Sequence, residues 1–267
     1  MSSENIQISN DEIHLWSINP NEYQDRALPE CFQRCLSPDE IKKYQRYIDA
    51  HDQQDALITR VFVRHLLSLY LDLNPAEIEF IKGDKDKPEI FFPEGTQNTI
   101  PLRFNLSHTK GLIICAVALT HDVGCDVERL DRKSDVLKIA DRYFSESEIE
   151  ELFSLPESNQ KDRFFDYWTL KESYIKAWGD GLAIPLGDFT FHIGQSSDTM
   201  NNNIKLSFSE QRNDNPEDWN SWLLNPDENY QLALSIRTPK LSNIDYTLRY
   251  FKSNPLVSYT ETTHFMF

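Results

Sequence analysis

Two apolar, β-favouring runs joined by a tight turn constrain this chain most: Leu112–Leu119, the turn at His121-Asp122, and Val123–Glu128, which ends in acids. The longest apolar run, Gly111 to Leu119, is far too short to span a bilayer, and its length and β-branched content fit a buried strand. Asp126 and Glu128 are two residues apart, so the period-2 alternation of a strand sends both carboxylates to one side. Residues 161–178 predict a long amphipathic helix, closed by the Gly179-Asp180-Gly181 stop. Within its WTLKESYIK segment, Glu172 and Lys176 lie one turn apart on one face. Two hard oxygen ligands from a strand end and one from a helix suit a Mg²⁺ cradle, with a lysine beside it for phosphate charge.

Around this pair the chain alternates helices and strands. Residues 13–18 read as a first strand. Ser37-Pro38-Asp39-Glu40 carries a helix start, with Ser37 as N-cap and Pro38 at the first helical position. A second helix covers about 52–71, where Leu57, Val61, His65 and Leu69 recur at helical spacing until Asn74-Pro75 breaks it. Strand-like Ile78–Ile81 and Glu89–Phe92 flank the charged turn GDKDKP, and Phe104–Leu106 leads through Ser107-His108 into the central apolar run. A helix near 134–142 follows, and Ser145 caps another, with Glu148 completing a capping box. The remainder alternates strand-like stretches (189–193, 204–208, 231–236, 247–251) with polar loops, notably 196–203. This is an α+β pattern of two lobes, 1–120 and 121–267.

Charge narrows the function classes. The 267 residues carry a formal net charge of −16, which argues against non-specific nucleic-acid binding and against docking to anionic lipid. The N-terminal MSSENIQISNDE has neither a basic nor an apolar signal region, so the expectation is a cytoplasmic protein without a membrane partner. Cys31, Cys35, Cys115 and Cys125 show no zinc spacing and read as small core residues of a reducing compartment.

Each motif also has an ordinary explanation. Two acids at spacing two occur on solvated strand edges, and Glu172 with Lys176 could be a surface pair of about half a kcal/mol. Context favours more: Asp126 follows a tight Val-Gly step, and Glu172 lies among Trp168, Tyr174, Ile175 and Trp178. Ser107-His108 has no nucleophile elbow, and a serine beside its own histidine does not make triad geometry; the pair reads as phosphate contacts or as a turn cap. Lys85-Asp86-Lys87-Pro88 is either a solvated hairpin tip or a place where Lys87 approaches an anionic ligand.

FNLSHT, VGCDVE and WTLKESYIKAWGDGLAIPL, in that order, resemble the surfactin-type 4′-phosphopantetheinyl transferases. Asp86-Lys87-Pro88 is similar to that family's Gly-Lys-Pro element, and LSPDEIKKY resembles its early helix; the similarity runs from about Leu36 to Leu186. The resemblance implies a pseudo-dimer of two similar α/β lobes, binding coenzyme A in the cleft between them. It also implies a monomer that transfers the phosphopantetheine arm to a serine hydroxyl of an apo acyl or peptidyl carrier protein, leaving adenosine 3′,5′-bisphosphate. By position, Asp126, Glu128 and Glu172 are implied Mg²⁺ ligands, and Lys176 a contact to the transferring phosphate. Ser107, His108, Lys87 and Lys43 are implied contacts to coenzyme A, and Glu148 the general base for the acceptor serine.

The chain departs from the pattern at Asp55 and Glu40, where basic residues are usual; Arg60 or Arg64 are candidates to compensate. Arg142, Lys161 and Arg163, with Phe144 and Phe164, are candidates for a carrier-facing surface. Two other classes share parts of the signature. A metal-dependent nuclease would need a basic stripe that this chain lacks, and a non-catalytic binding module would not need the full acidic set with Lys176.

Overall fold

The computed structural model describes residues 5–23, 34–83, 87–93, 100–131, 135–179, 184–194, 204–238, 244–253 and 258–262. In chain order its elements begin with β1 (Glu12–Ile18), α1 (Pro38–Tyr44), α2 (Ala50–Leu71), β2 (Glu79–Lys82), β3 (Pro88–Phe91), β4 (Leu102–Thr109) and β5 (Leu112–Leu119). They continue with β6 (Val123–Arg129), α3 (Ala140–Tyr143), α4 (Glu146–Ser154), α5 (Glu157–Trp178), β7 (Phe189–Ile193) and β8 (Ile204–Phe208). The last are β9 (Trp219–Leu224), β10 (Tyr230–Arg237), β11 (Thr247–Ser253) and β12 (Tyr259–Thr262). Cys31, Lys85, Asp86, the Asp180-Gly181 step and the 196–203 loop lie outside the described residues.

The fold is mixed α and β, in two compact units that are not contiguous in sequence. The first comprises Met1–Arg103, Lys110–Thr120 and Tyr246–Thr263; the second comprises Phe104–Thr109, His121–Asp245 and His264–Phe267. The first unit takes up the chain again at Tyr246 because β11 pairs with β1 in parallel, Ile13 opposite Leu248. No local pattern announces a partner that far away in sequence.

In the first unit, strands run in the order β12-β11-β1-β5, with β1 central and antiparallel to β5. α2 contributes Leu57, Ile58, Val61, Phe62, Leu66, Leu67 and Tyr70 to the core, each such side chain worth about 1.5–3 kcal/mol on burial. The Tyr70 hydroxyl accepts from Trp16 Nε1 at 2.7 Å and lies 2.8 Å from His14 Nδ1. Burial pushes the His14 imidazolium down to about 4, so the ring is neutral at pH 7.

Ser37 is the expected N-cap of α1, with Pro38 in the first turn, and Glu40 completes a capping box with it. The Glu40 carboxylate also accepts from Arg64 Nε at 3.0 Å and Nη2 at 2.8 Å, while Arg64 Nη1 donates to Pro75 O and Ile78 O. Arg64 is therefore buried and committed within its own unit, which corrects the expectation that it could compensate at a phosphate. It neutralises Glu40 instead. Arg60 Nη1 donates to Ala56 O at 2.8 Å, and Asp55 pairs with His51 at 3.2 Å.

In the second unit, β6, β10 and β9 form an antiparallel sheet in the order β6-β10-β9, and β7 pairs with β8. α5 packs across β6 and β10; it starts at Glu157, a turn earlier than expected, and ends at Gly179 with φ 94°. The helix expected near 134–142 is a 3-10 turn, Val136–Ile139, running into the short α3. β9 has no counterpart in the sequence reading: in WNSWLL the buried residues are Trp219, Ser221 and Leu224, so a serine takes an inward position while Trp222 and Leu223 are half-buried, and the alternation is lost. Phe144 and Phe164 belong to this unit's core, 5% and 2% exposed, so they cannot form a carrier-facing surface. Arg163 lies 3.7 Å from Glu151 and 3.6 Å from Asp166, whereas Arg142 stays exposed beside the Tyr143 ring.

Candidate active site

Every residue of the acidic constellation is in the second unit, and one close approach brings its two elements together. A Cβ at Gly124 would lie 2.1 Å from Ser173 O and 2.3 Å from Ala177 N, so the α5 backbone rests directly on β6 at this glycine. Gly124, Asp126 and Glu128 alternate on one face of β6, and β10 places Ser235, Ala233 and Gln231 opposite them. Ser173 and Ser235 hydroxyls meet at 2.7 Å beside Gly124, so the polar α5 residue at this contact has its own partner.

With the backbones this close, Lys176 Nζ reaches Asp126 Oδ1 at 2.6 Å and donates to Ser107 Oγ at 3.0 Å. Ser107 Oγ in turn donates to Asp126 Oδ1 at 2.9 Å and accepts from Val127 N at 3.2 Å. Asn105 holds the neighbouring residue, accepting from Cys125 N at 2.9 Å on its side-chain oxygen. Ser107, read from the sequence as a phosphate contact or a turn cap, is tied here to Asp126 and Lys176, and nothing in the sequence marks Asn105. His108, next along β4, is exposed where Ser107 is buried, so the two side chains leave the strand on opposite sides.

The electrostatics follow from crowding. Burial, then the charge of Asp126, push the Glu172 carboxyl up to about 6, with Lys176 pulling the other way. Burial would lower the Lys176 ammonium, but the ion pair and hydrogen bond with Asp126 outweigh it and raise the net value. Asp126 Oδ2 is buried and accepts no hydrogen bond. Among the described residues no three acidic, thiol or imidazole groups stand as a ready metal cage. The donor chemistry nevertheless fits a hard divalent cation: carboxylate oxygens from Asp126, Glu128 and Glu172, one oxygen without a donor, and one carboxyl whose ionisation its neighbour opposes.

The raised Glu172 value has a measurable consequence. A folded-state pKa near 6 stabilises the fold below the ordinary value of 4.5, and that stabilisation is lost as pH rises through 6. In chelator-containing buffer, Glu172→Gln should remove about 1–2 kcal/mol of this pH dependence. Melting temperatures at pH 5 and pH 7.5 test it; parallel pH slopes for the two proteins would rule out the burden.

Glu148 is placed differently from what the resemblance implies. Its side chain has no exposed surface, its Oε2 accepts from Ser145 N at 2.9 Å and pairs with Lys171 Nζ at 2.7 Å, and its Oε1 accepts from Phe191 N at 2.8 Å. Lys43 sits in the last turn of α1 and Lys87 directly precedes β3, its carbonyl accepting from Gly83 N at 2.9 Å; both belong to the first unit.

Comparison with known proteins decides the family. A model described as the 4′-phosphopantetheinyl transferase superfamily matches residues 122–235, and one described as 4′-phosphopantetheinyl transferase, N-terminal, matches 21–120. The 4′-phosphopantetheinyl transferase HetI of Nostoc sp. is 36% identical over 67% of this chain and 73% of its own length. The chain belongs to the 4′-phosphopantetheinyl transferase superfamily. Two further members of this transferase superfamily are gsp of Aneurinibacillus migulanus and Sfp of Bacillus subtilis. The first is 33% identical over 64% of this chain and 67% of its own, the second 32% over 65% and 75%. Asp126, Glu128, Glu172 and Lys176 all fall within the residues that the superfamily model matches. Among the described residues no helix is long and apolar enough to cross a membrane.

Proposed function

We propose that this protein transfers the 4′-phosphopantetheine arm of coenzyme A to a serine hydroxyl of an apo acyl or peptidyl carrier protein. The observation that carries the reading is the Asp126–Lys176 pair at 2.6 Å, with Glu172 beside it, inside the stretch shared with the superfamily. The two family matches, one on each side of residues 120–122, support two related halves. A monomeric, cytoplasmic protein is part of the same reading.

The chemistry asks for charge control. The acceptor oxygen forms a bond to the phosphorus bearing the pantetheine arm, its proton passes to a base or to solvent, and the bond to the bridging oxygen breaks. The negative charge leaves on adenosine 3′,5′-bisphosphate. Lys176 is an ammonium kept protonated by Asp126, so it meets the pyrophosphate as a fixed positive charge. Ser107 lies within hydrogen-bond reach of that ammonium and orients it. Asp126, Glu128 and Glu172 would hold Mg²⁺, which would neutralise charge on the leaving oxygen. His108, exposed on the other side of β4, and the basic Lys43 and Lys87 are assigned to the coenzyme's phosphates. At a net charge of −16, an acidic carrier must be met through a local face, and exposed Arg142 beside Tyr143 remains a candidate for it.

Intact-mass spectrometry tests the reading directly. Apo carriers of fatty-acid and peptidyl type, incubated with the protein, coenzyme A and Mg²⁺, should gain one phosphopantetheine, and the gain should vanish with chelator. No gain on any carrier, with coenzyme A still bound, would replace the transferase reading with a binding module.

A further inference from the structure

We propose that Glu148 and Lys171 form a buried positioning pair that sets the rotation of α5, and that Glu148 does not receive the acceptor's proton. The inference rests on the transferase reading for its consequences, but the pair itself stands on geometry. A general base must come within about 2.6–3.2 Å of the proton it takes. Both Glu148 oxygens are occupied by Ser145 N, Phe191 N and Lys171 Nζ, at 2.7–2.9 Å, and the side chain is 0% exposed. Glu148 itself lines a hollow with Ser147, Glu151, Tyr167 and His192, yet its side chain is sealed from solvent and its oxygens are already taken.

Lys171 is equally committed. Besides Glu148 it donates to Leu186 O at 2.7 Å and Phe189 O at 2.6 Å, so each ammonium proton has an acceptor. Nζ also lies 4.4 Å from the Phe189 ring centre. One cation therefore ties the middle of α5 to the cap of α4 and to the entry of β7. An α-helix turns about 100° per residue, so anchoring Lys171 dictates the direction of Glu172, the next residue, and of Lys176 one turn beyond. Adjacent in sequence, Lys171 and Glu172 do different work: Lys171 sets the helix, and Glu172 faces the site.

Glu148→Gln, Lys171→Gln and the double variant separate the two roles. Each single variant leaves a buried charge without its counter-ion, so both should lower the melting temperature and the rate of transfer. The double variant keeps hydrogen-bonding groups at both positions without net charge, and should regain ~10-fold of the rate lost in either single. Its pH–rate profile should keep the wild-type midpoints. A Glu148→Gln protein that melts like wild type, has lost ~100-fold or more in rate with a flattened profile, and is not rescued in the double would overturn the proposal. Near-ultraviolet circular dichroism, which includes Trp168 and Trp178 of α5, reads the helix packing without substrate. Loss of that signal in the singles and return in the double supports positioning even if no carrier is modified; unchanged spectra in all three would overturn it.

Discussion

Asp126→Ala is expected to reduce phosphopantetheine transfer by ~100-fold or more while the protein remains folded. Asp126 does two things at once in this structure. It anchors the Lys176 ammonium at 2.6 Å, and it offers a buried oxygen that no donor satisfies. Removing it leaves Lys176 free to rotate and takes away a hard oxygen ligand. The fold should survive because the neighbours that clamp β6, Val123, Cys125 and Val127, are untouched and fully buried. Intact-mass assays alongside circular dichroism check both halves of the statement. Transfer within a few-fold of wild type would discard the proposed site.

Gly124→Ala should act through the backbone and damage stability and transfer together. Its new methyl would sit 2.1 Å from Ser173 O and 2.3 Å from Ala177 N, neither of which can rotate away. α5 must lift off β6, at a cost of about 1–3 kcal/mol or more, and the Lys176–Asp126 pair opens with it. For a chain of this size that corresponds to a fall of several degrees in melting temperature. Gly187→Ala is the control. Its methyl would come no closer than 3.7 Å to Phe144 O, an ordinary contact, so it should melt near wild type. Equal melting temperatures for all three proteins would mean that β6 and α5 are not as tightly apposed as described.

Much of the site was legible because its signals are local. The alternation of a strand put Asp126 and Glu128 on one face, and one helical turn put Glu172 beside Lys176; β6 and α5 bear out both placements as geometry. The N-cap at Ser37 and the capping box at Ser145 follow from side chains within one turn of each other. The illegible parts all depend on partners distant in sequence. Arg64 reads as a free cation until Glu40, Pro75 and Ile78 surround it, and Phe144 and Phe164 read as surface until the α5 core closes over them. Glu148 looks like a base within a capping box, but Lys171 and Phe191 take its oxygens.

By itself, then, the sequence determined the periodic elements, their caps, the helix stop at Gly179 and the residue types that make phosphate chemistry plausible. These rest on interactions over a few residues, which the backbone's regular geometry makes predictable. Only the tertiary structure decided which charges are sealed and which stay open, because burial and ion pairing depend on what packs across from a residue. It is that choice that separates Glu148 from Glu172: the first, in a helix cap, is locked by Lys171, and the second, late in a long helix, has its ionisation opposed by burial and by Asp126.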